Sequence, residues 1–334
     1  MLWNLWDGVV AVVTSVREAA EALVVRGALP AELDGAIVWS GKYGVSGVHL
    51  GPDGARWYRG PRPTGLAPAD RPSGATIARP VYDGAEWHTA MSHPELGYAE
   101  HVTLGPDGDV LRAEPFPLDG APRMRAIGVT ERFVVVFDSA PYYSRAADLV
   151  GVRDPYSGPA TGPARIGLLA HGRPCWFEVG EGQVLSLVNA YEDLGRVVVD
   201  AVWAPGVLRR HTLDLATGVV RRIDLPPMDV GGVDQRRTGR RHRFVFGTSG
   251  TAIVRHDVAL GCTWRRELGV TPGQPVFVPR GTEEGDGWVV VVAGDEVLVL
   301  DAADLAGPPV AVVRLPFAVR ASQCATWLTG RTAA

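Results

Sequence analysis

An excess of charge is the first thing this chain lacks: its 334 residues carry 33 Lys and Arg against 37 Asp and Glu, a net of −4. No basic footprint for a nucleic acid is present, and none is expected as a partner. Cysteine is scarce too. Cys175, Cys262 and Cys324 have neither the spacing of a zinc site nor that of a disulfide framework, which suits a reducing cytoplasm. There is no Walker loop, no Gly-x-Gly-x-x-Gly after a strand, no His-Glu-x-x-His and no Gly-x-Ser-x-Gly elbow, so nucleotide, zinc-protease and serine-hydrolase chemistry are not indicated. Long apolar runs are also missing. The start of the chain is apolar at Leu2, Trp3, Leu5, Trp6, Val9 and Val10, but Asp7 interrupts it and Arg17 and Glu18 end it. It lacks the basic region and cleavage site of a signal peptide and is too short for a membrane span. Two readings of residues 1–25 stay open: an amphipathic helix that touches a membrane surface or a partner, and a segment packed on the protein's own core. The packed segment is favoured, because a chain of this size covers its apolar ends.

What the chain has in abundance is glycine and proline, 41 and 26 residues, which cut it into short apolar pieces between turns. Val48 to Leu50 and Ala55 to Tyr58 flank Gly51-Pro-Asp-Gly54, where proline presets φ and glycine permits a positive φ. The tetrapeptide recurs at Gly105 to Gly108, with looser versions at Asp214 to Gly218 and Asp301 to Gly307. Phe133 to Phe137, Val289 to Ala293 and Val297 to Asp301 are β-branched runs. Recurrent hairpins at unequal spacing predict an all-β fold, a divergent β-propeller, preceded by a short N-terminal helix or extension over residues 1–25 and forming a single domain over 26–334.

Several motifs, in order, resemble the carotenoid cleavage oxygenase family. Gly27-Ala-Leu-Pro-Ala-Glu-Leu-Asp-Gly35 resembles its opening, and Gln183-Val-Leu-Ser-Leu-Val-Asn-Ala-Tyr-Glu-Asp193 its Asn-Ala-Tyr-Glu frame. Asp229 to Phe246, Gln274-Pro-Val-Phe-Val-Pro279 and Glu284-Gly-Asp-Gly-Trp288 follow suit. The resemblance implies a propeller around an apolar tunnel. The Pro/Gly-rich connector Gly60 to Ser73 is short for the family, so a propeller smaller or less regular than the family's seven blades is expected; a flexible interdomain linker is the alternative. In the family four histidines hold a catalytic iron. The aligned positions here are Arg79, Arg125, Ser186 and Cys324, and Asp229 takes the place of a glutamate behind the iron ligands. A second alignment keeps a histidine at His93, but Arg79 is preferred because it also accounts for Glu86 to Ala90, leaving His93 as a loop or surface residue.

An arginine cannot be deprotonated to serve as a ligand, and one thiolate is too few, so no metal and no cofactor are expected. Two arginines facing an apolar tunnel suit a hydrophobic ligand with a carboxylate or enolate oxygen. The first functional expectation is therefore a metal-free, non-oxidative enzyme that cyclises, isomerises or eliminates on a polyene or polyketide-like natural-product intermediate, with Arg79, Arg125, Ser186, Cys324, Asp229 and Tyr191 as candidates to polarise oxygen or move a proton. The alternatives are a non-catalytic carrier of an apocarotenoid-like molecule, a scaffold whose arginines pair with carboxylates such as Asp229, Glu284 or Glu178, and a residual dioxygenase. The basic cluster Arg236 to Arg243 reads as a salt-bridged face rather than a polyanion site.

Overall fold

A computed structural model describes residues 22–41, 44–60, 75–105, 109–118, 120–158, 162–319 and 325–329. Among these, strand dominates, and the only α-helix is Arg145–Leu149, capped by Ser144, whose hydroxyl accepts from the Ala147 amide. No helix among the described residues is long and apolar enough to cross a membrane. Residues 1–21 and the connector 61–74 lie outside the described residues, so the expected N-terminal helix is not seen. Ala22–Leu23 and Val25–Gly27, at the end of that stretch, are strands.

The strands form six antiparallel sheets of four or five strands and one two-stranded ribbon. They fall into two compact units. Within the described residues, one unit holds 75–225 and 238–241. It contains the sheets of Thr76–Pro117 and Ile127–Gly180, the ribbon Tyr142–Tyr143 with Tyr156–Gly158, and the meander Val184–Asp193, Arg196–Trp203, Val207–Asp214, Val220–Pro227. The other unit holds 22–60, 226–237 and 242–329. There the last described strand, Ala325–Thr329, pairs with Gly35–Gly41, and Val25–Gly27 pairs with Ala311–Arg314, so sequence-distant strands complete two of this unit's three sheets and leave those with fewer open edges.

Local chemistry accounts for the pattern. The run Gly287–Ala293, Gly-Trp-Val-Val-Val-Val-Ala, is buried along its whole length because the sheet is covered on both faces. Outer strands such as Cys262–Glu267 are mostly exposed and carry Arg265, Arg266 and Glu267, which blunt a free edge. The turns at Gly51 to Gly54 and Asp214 to Gly218 are where the residue types place them, while residues 106–108 of the turn expected at Gly105 to Gly108 lie outside the described residues. Gly51 to Gly54 joins Gly44–Gly51 to Gly54–Gly60, with Gly54 at φ +112. In Asp214 to Gly218 the Asp214 carboxylate accepts the Ala216 and Thr217 amides. The arginine cluster is carboxylate-paired: Arg236 with Asp234 at 2.6 Å, Arg237 with Glu284 at 3.4 Å and Arg243 with Asp257 at 2.8 Å.

Candidate functional site

Arg79 lies between Thr76–Ile77 and Val81–Tyr82, two short strands that both pair with Trp87–His93. The proline after it holds it extended, so the segment crosses the gap without becoming helix. It is pinned on both sides: the Ala78 amide donates to the Ala90 carbonyl (2.8 Å), and the Thr89 hydroxyl donates to the Ala78 carbonyl (2.7 Å). The Thr76 hydroxyl accepts the Met124 amide at 2.9 Å, which brings in the loop before Ile127–Val129. At its end the Arg79 amide donates to the Arg125 carbonyl at 3.1 Å. Two arginines 46 positions apart thus become backbone neighbours, both half-buried. The Arg125 loop is anchored in turn by Arg123, whose guanidinium pairs with Asp154 and lies 4.6 Å from the Tyr156 ring centroid.

Ser186 sits in the next sheet, on Val184–Asp193. That strand is irregular, with register shifts between Val184 and Ser186 and between Leu187 and Asn189. Bulges re-aim side chains, and here two of them bracket Ser186 and Leu187. The Ser186 hydroxyl oxygen is buried and has no hydrogen-bond partner. Gly128 shows how close the Ile127–Val129 strand approaches: a Cβ there would lie 2.7 Å from Leu187 Cδ2 and 3.4 Å from Ala190 Cβ.

The Asn-Ala-Tyr-Glu frame has a structural task that its sequence did not disclose. Asn189 accepts the Gly239 amide at 3.1 Å and donates to the Arg240 carbonyl at 2.9 Å. Glu192 accepts from the Thr130 hydroxyl (2.9 Å), the Arg132 amide (2.8 Å) and Arg132 Nε (2.6 Å). Tyr191 is buried, and loss of solvent is the largest effect raising its pKa above the ordinary phenol value, so it keeps its proton at neutral pH. Beside it Asp200, with no exposed surface, holds Arg210 through two hydrogen bonds of 2.8 and 2.6 Å.

The structure therefore makes Arg79 and Arg125 backbone neighbours and sets the Ser186 strand against Ile127–Val129, the strand that follows the Arg125 loop. Asp229 belongs to the other unit and is exposed; its carboxylate accepts the Gly250 amide at 2.6 Å and so caps a turn. Cys324 lies outside the described residues. His93 is not the loop or surface residue the sequence suggested. It closes the strand Trp87–His93, is 6% exposed, and bonds Glu100 at 3.1 Å because its neighbouring strand presents that carboxylate.

Iron, which the resemblance implies, does not fit the described residues. The three described positions that align with its ligands offer two guanidinium groups and a hydroxyl, and among the described residues no three His, Cys, Asp or Glu side chains converge as a metal site. The guanidinium groups suit a different guest, a planar oxyanion.

Residues 63–329 match the model of the retinal pigment epithelial membrane protein family. The chain is 23% identical to carotenoid 9,10(9',10')-cleavage dioxygenase 1 of Arabidopsis thaliana, over 71% of this chain and 57% of that one. It is 40% identical to isoeugenol monooxygenase of Pseudomonas putida over 206 residues, 46% of this chain and 42% of that one. The chain thus spans less than two thirds of the length of these curated relatives. The crystal structure of Pseudomonas brassicacearum lignostilbene dioxygenase superposes with a TM-score of 0.79 at 20% identity, covering 94% of this chain and 96% of that one. The fold is the all-β, propeller-type fold of such oxygenases.

Proposed function

Because the chain belongs to the retinal pigment epithelial membrane protein family, we propose that it takes an elongated, unsaturated apolar ligand bearing an anionic oxygen and transforms it without iron, by isomerisation, cyclisation or elimination. One observation carries the reading: Arg79 and Arg125 are joined by a backbone hydrogen bond where the motifs call for imidazoles. A guanidinium pair is a fixed positive field for a carboxylate, phenolate or enolate. Charge that develops on such an oxygen is stabilised there, while the apolar body is held in one conformer. Ser186 contributes a buried hydroxyl and Tyr191 a phenol that stays protonated, either of which can donate to an oxygen brought to it.

The substrate class rests on the relatives, whose names point to carotenoid, apocarotenoid and isoeugenol substrates. Their names also favour a second reading, oxidative cleavage of an alkene. One experiment separates the two. The purified protein is loaded with ferrous iron under reducing conditions, desalted and analysed for metal, then titrated with isoeugenol, with retinoic acid and with the methyl ester of retinoic acid. Iron below about one tenth per chain, with the acid bound roughly tenfold more tightly than its ester, is the expected result, since a charge-assisted hydrogen bond contributes about 1.5–3 kcal/mol. Stoichiometric iron with oxygen consumption on isoeugenol would establish the second reading instead.

A further inference from the structure

The sheet that carries Arg79 contains a line of four titratable side chains to which the motifs assign no role. Asp83 Oδ2 lies 3.0 Å from His88 Nε2. His88 Nδ1 lies 3.1 Å from His101 Nε2, with the two rings nearly parallel, 7° between planes. His101 Nδ1 then lies 3.4 Å from Glu114 Oε2. The imidazoles are 8% and 6% exposed, whereas both carboxylates reach solvent, so the line runs through the sheet from the Asp83 turn to the outer strand Val110–Pro117.

Counting hydrogens decides its charge. Both terminal carboxylates accept, so His88 Nε2 and His101 Nδ1 must each carry a hydrogen. The contact between the rings needs a third. Three hydrogens on four ring nitrogens make one imidazolium, shared between two rings. A neutral pair has only two and fails at one contact: with His101 protonated on Nε2 toward His88, its Nδ1 lone pair faces the Glu114 carboxylate. A doubly protonated pair fails as well, because two N–H groups then meet across 3.1 Å. We propose that Asp83, His88, His101 and Glu114 form a binding site for a single proton, held between two imidazoles and balanced by two carboxylates.

The surroundings agree with one proton and not two. Burial, followed by the charge of His88, lowers the pKa of His101, while Glu114 opposes that shift and Arg112 adds to it. That shift favours His101 as the neutral ring of the two, donating to Glu114. Asp83 is also committed as an anion, since its other oxygen accepts the Ala85 and Glu86 amides at 2.7 and 2.8 Å. The other charged groups nearby are Glu86, which pairs with Arg112 at 3.3 Å, and, on the strand Arg173–Gly180 that packs against Val110–Pro117, Arg173 and Glu178. His93 and Glu100 pair with each other at the far end of the same two strands. A transition metal is a poorer occupant, because Asp83 and Glu114 approach the outward nitrogens and not the gap between the rings. His88 is the register partner of Val81, two residues from Arg79.

The test uses the full chain labelled with 15N-histidine, following long-range nitrogen–proton correlations of the rings from pH 5 to 9. Near pH 6 one ring should show two protonated nitrogens and its neighbour a neutral ring protonated at Nδ1, with both sets of signals moving together in one step as the pH rises. His88→Gln should abolish that step, and Glu114→Gln, at the exposed end where folding is safe, should lower its midpoint by about half a unit or more by removing an opposite charge. Two rings that titrate independently, two that stay neutral throughout, or a midpoint unmoved by Glu114→Gln would overturn the proposal. The outcome is independent of iron content and ligand affinity.

Discussion

His211 should make the protein acid-sensitive, and its replacement by leucine should remove much of that sensitivity. It lies at the centre of the strand Val207–Asp214 with no exposed surface, its ring 5.3 Å from that of Trp203, and neither of its nitrogens has a hydrogen-bond partner. Burial first, then the charges of Arg209 and Arg222, push its pKa down from the ordinary imidazole value of about 6.5 to about 4. In the folded protein the ring is therefore neutral across the physiological range. As pH falls below about 6.5 the unfolded chain takes up a proton that the folded chain refuses, so stability drops by about 1.4 kcal/mol per pH unit until the folded ring also protonates near pH 4. Over that window the loss amounts to about 3 kcal/mol. His211→Leu keeps most of the volume and removes two orphaned polar atoms, so at pH 7.5 its stability should lie within about 1.5 kcal/mol of the parent's. Urea unfolding followed by tryptophan fluorescence at steps from pH 7.5 to 4 measures both proteins. The quantity of interest is the difference between their pH dependences, in which the other titrating groups cancel. Superimposable pH profiles would refute the reasoning, because they would mean that His211 gains a proton as readily folded as unfolded.

Three further outcomes follow from the same unit. Asp200→Asn should destabilise by about 3–5 kcal/mol, read from a shifted urea midpoint, because it leaves the Arg210 guanidinium without its buried counter-charge. Glu192→Ala should cost about 1 kcal/mol by removing the shared acceptor of the exposed Arg132 amide and of the Thr130 hydroxyl, which keeps the Phe133 carbonyl at 3.3 Å, and Glu192→Gln should cost visibly less, since one oxygen still accepts. Gly128→Val should cost about 1–3 kcal/mol by overpacking against Leu187 and Val135, and amide exchange along Val184–Asp193 should accelerate while that of Thr76–Pro117 changes less.

The turns were legible because their residues act locally. In Asp214 to Gly218 a single carboxylate accepts two amides within three residues, and no distant neighbour is needed to foresee it. The β-branched runs were legible for a similar reason, since Val-Val-Val-Val at Val289 to Val292 fits a strand covered on both faces. The histidines were not. His101 and His211 stand outside every motif, and their character comes from partners brought by pairing: Glu114 lies on the strand after that of His101, and Trp203 on the strand before that of His211. Asp229 shows the converse. Its place in a motif suggested a site, while its carboxylate serves the turn at Gly250.

The Asn-Ala-Tyr-Glu frame is where sequence and structure give different weights to the same residues. Read as a string, an intact frame around a replaced histidine suggests that the centre was rebuilt for new chemistry while its wall was kept. The bonds give the frame its own reason to persist. Asn189 ties down residues 239 and 240 and Glu192 ties down residues 130 and 132, fifty to sixty positions away, and neither tie touches Ser186, Arg79 or Arg125. Losing either would leave buried or half-buried donors unsatisfied whatever the site contains. The intact frame therefore reports on folding, and the chemistry has to be argued from the positions that did change. At those positions the decisive fact is the charge of the replacement. Neutral side chains would have left a void or an inert plug, but arginine brings a permanent cation whose half-buried charge needs compensation. A divalent metal cation placed beside that charge would add to the cost.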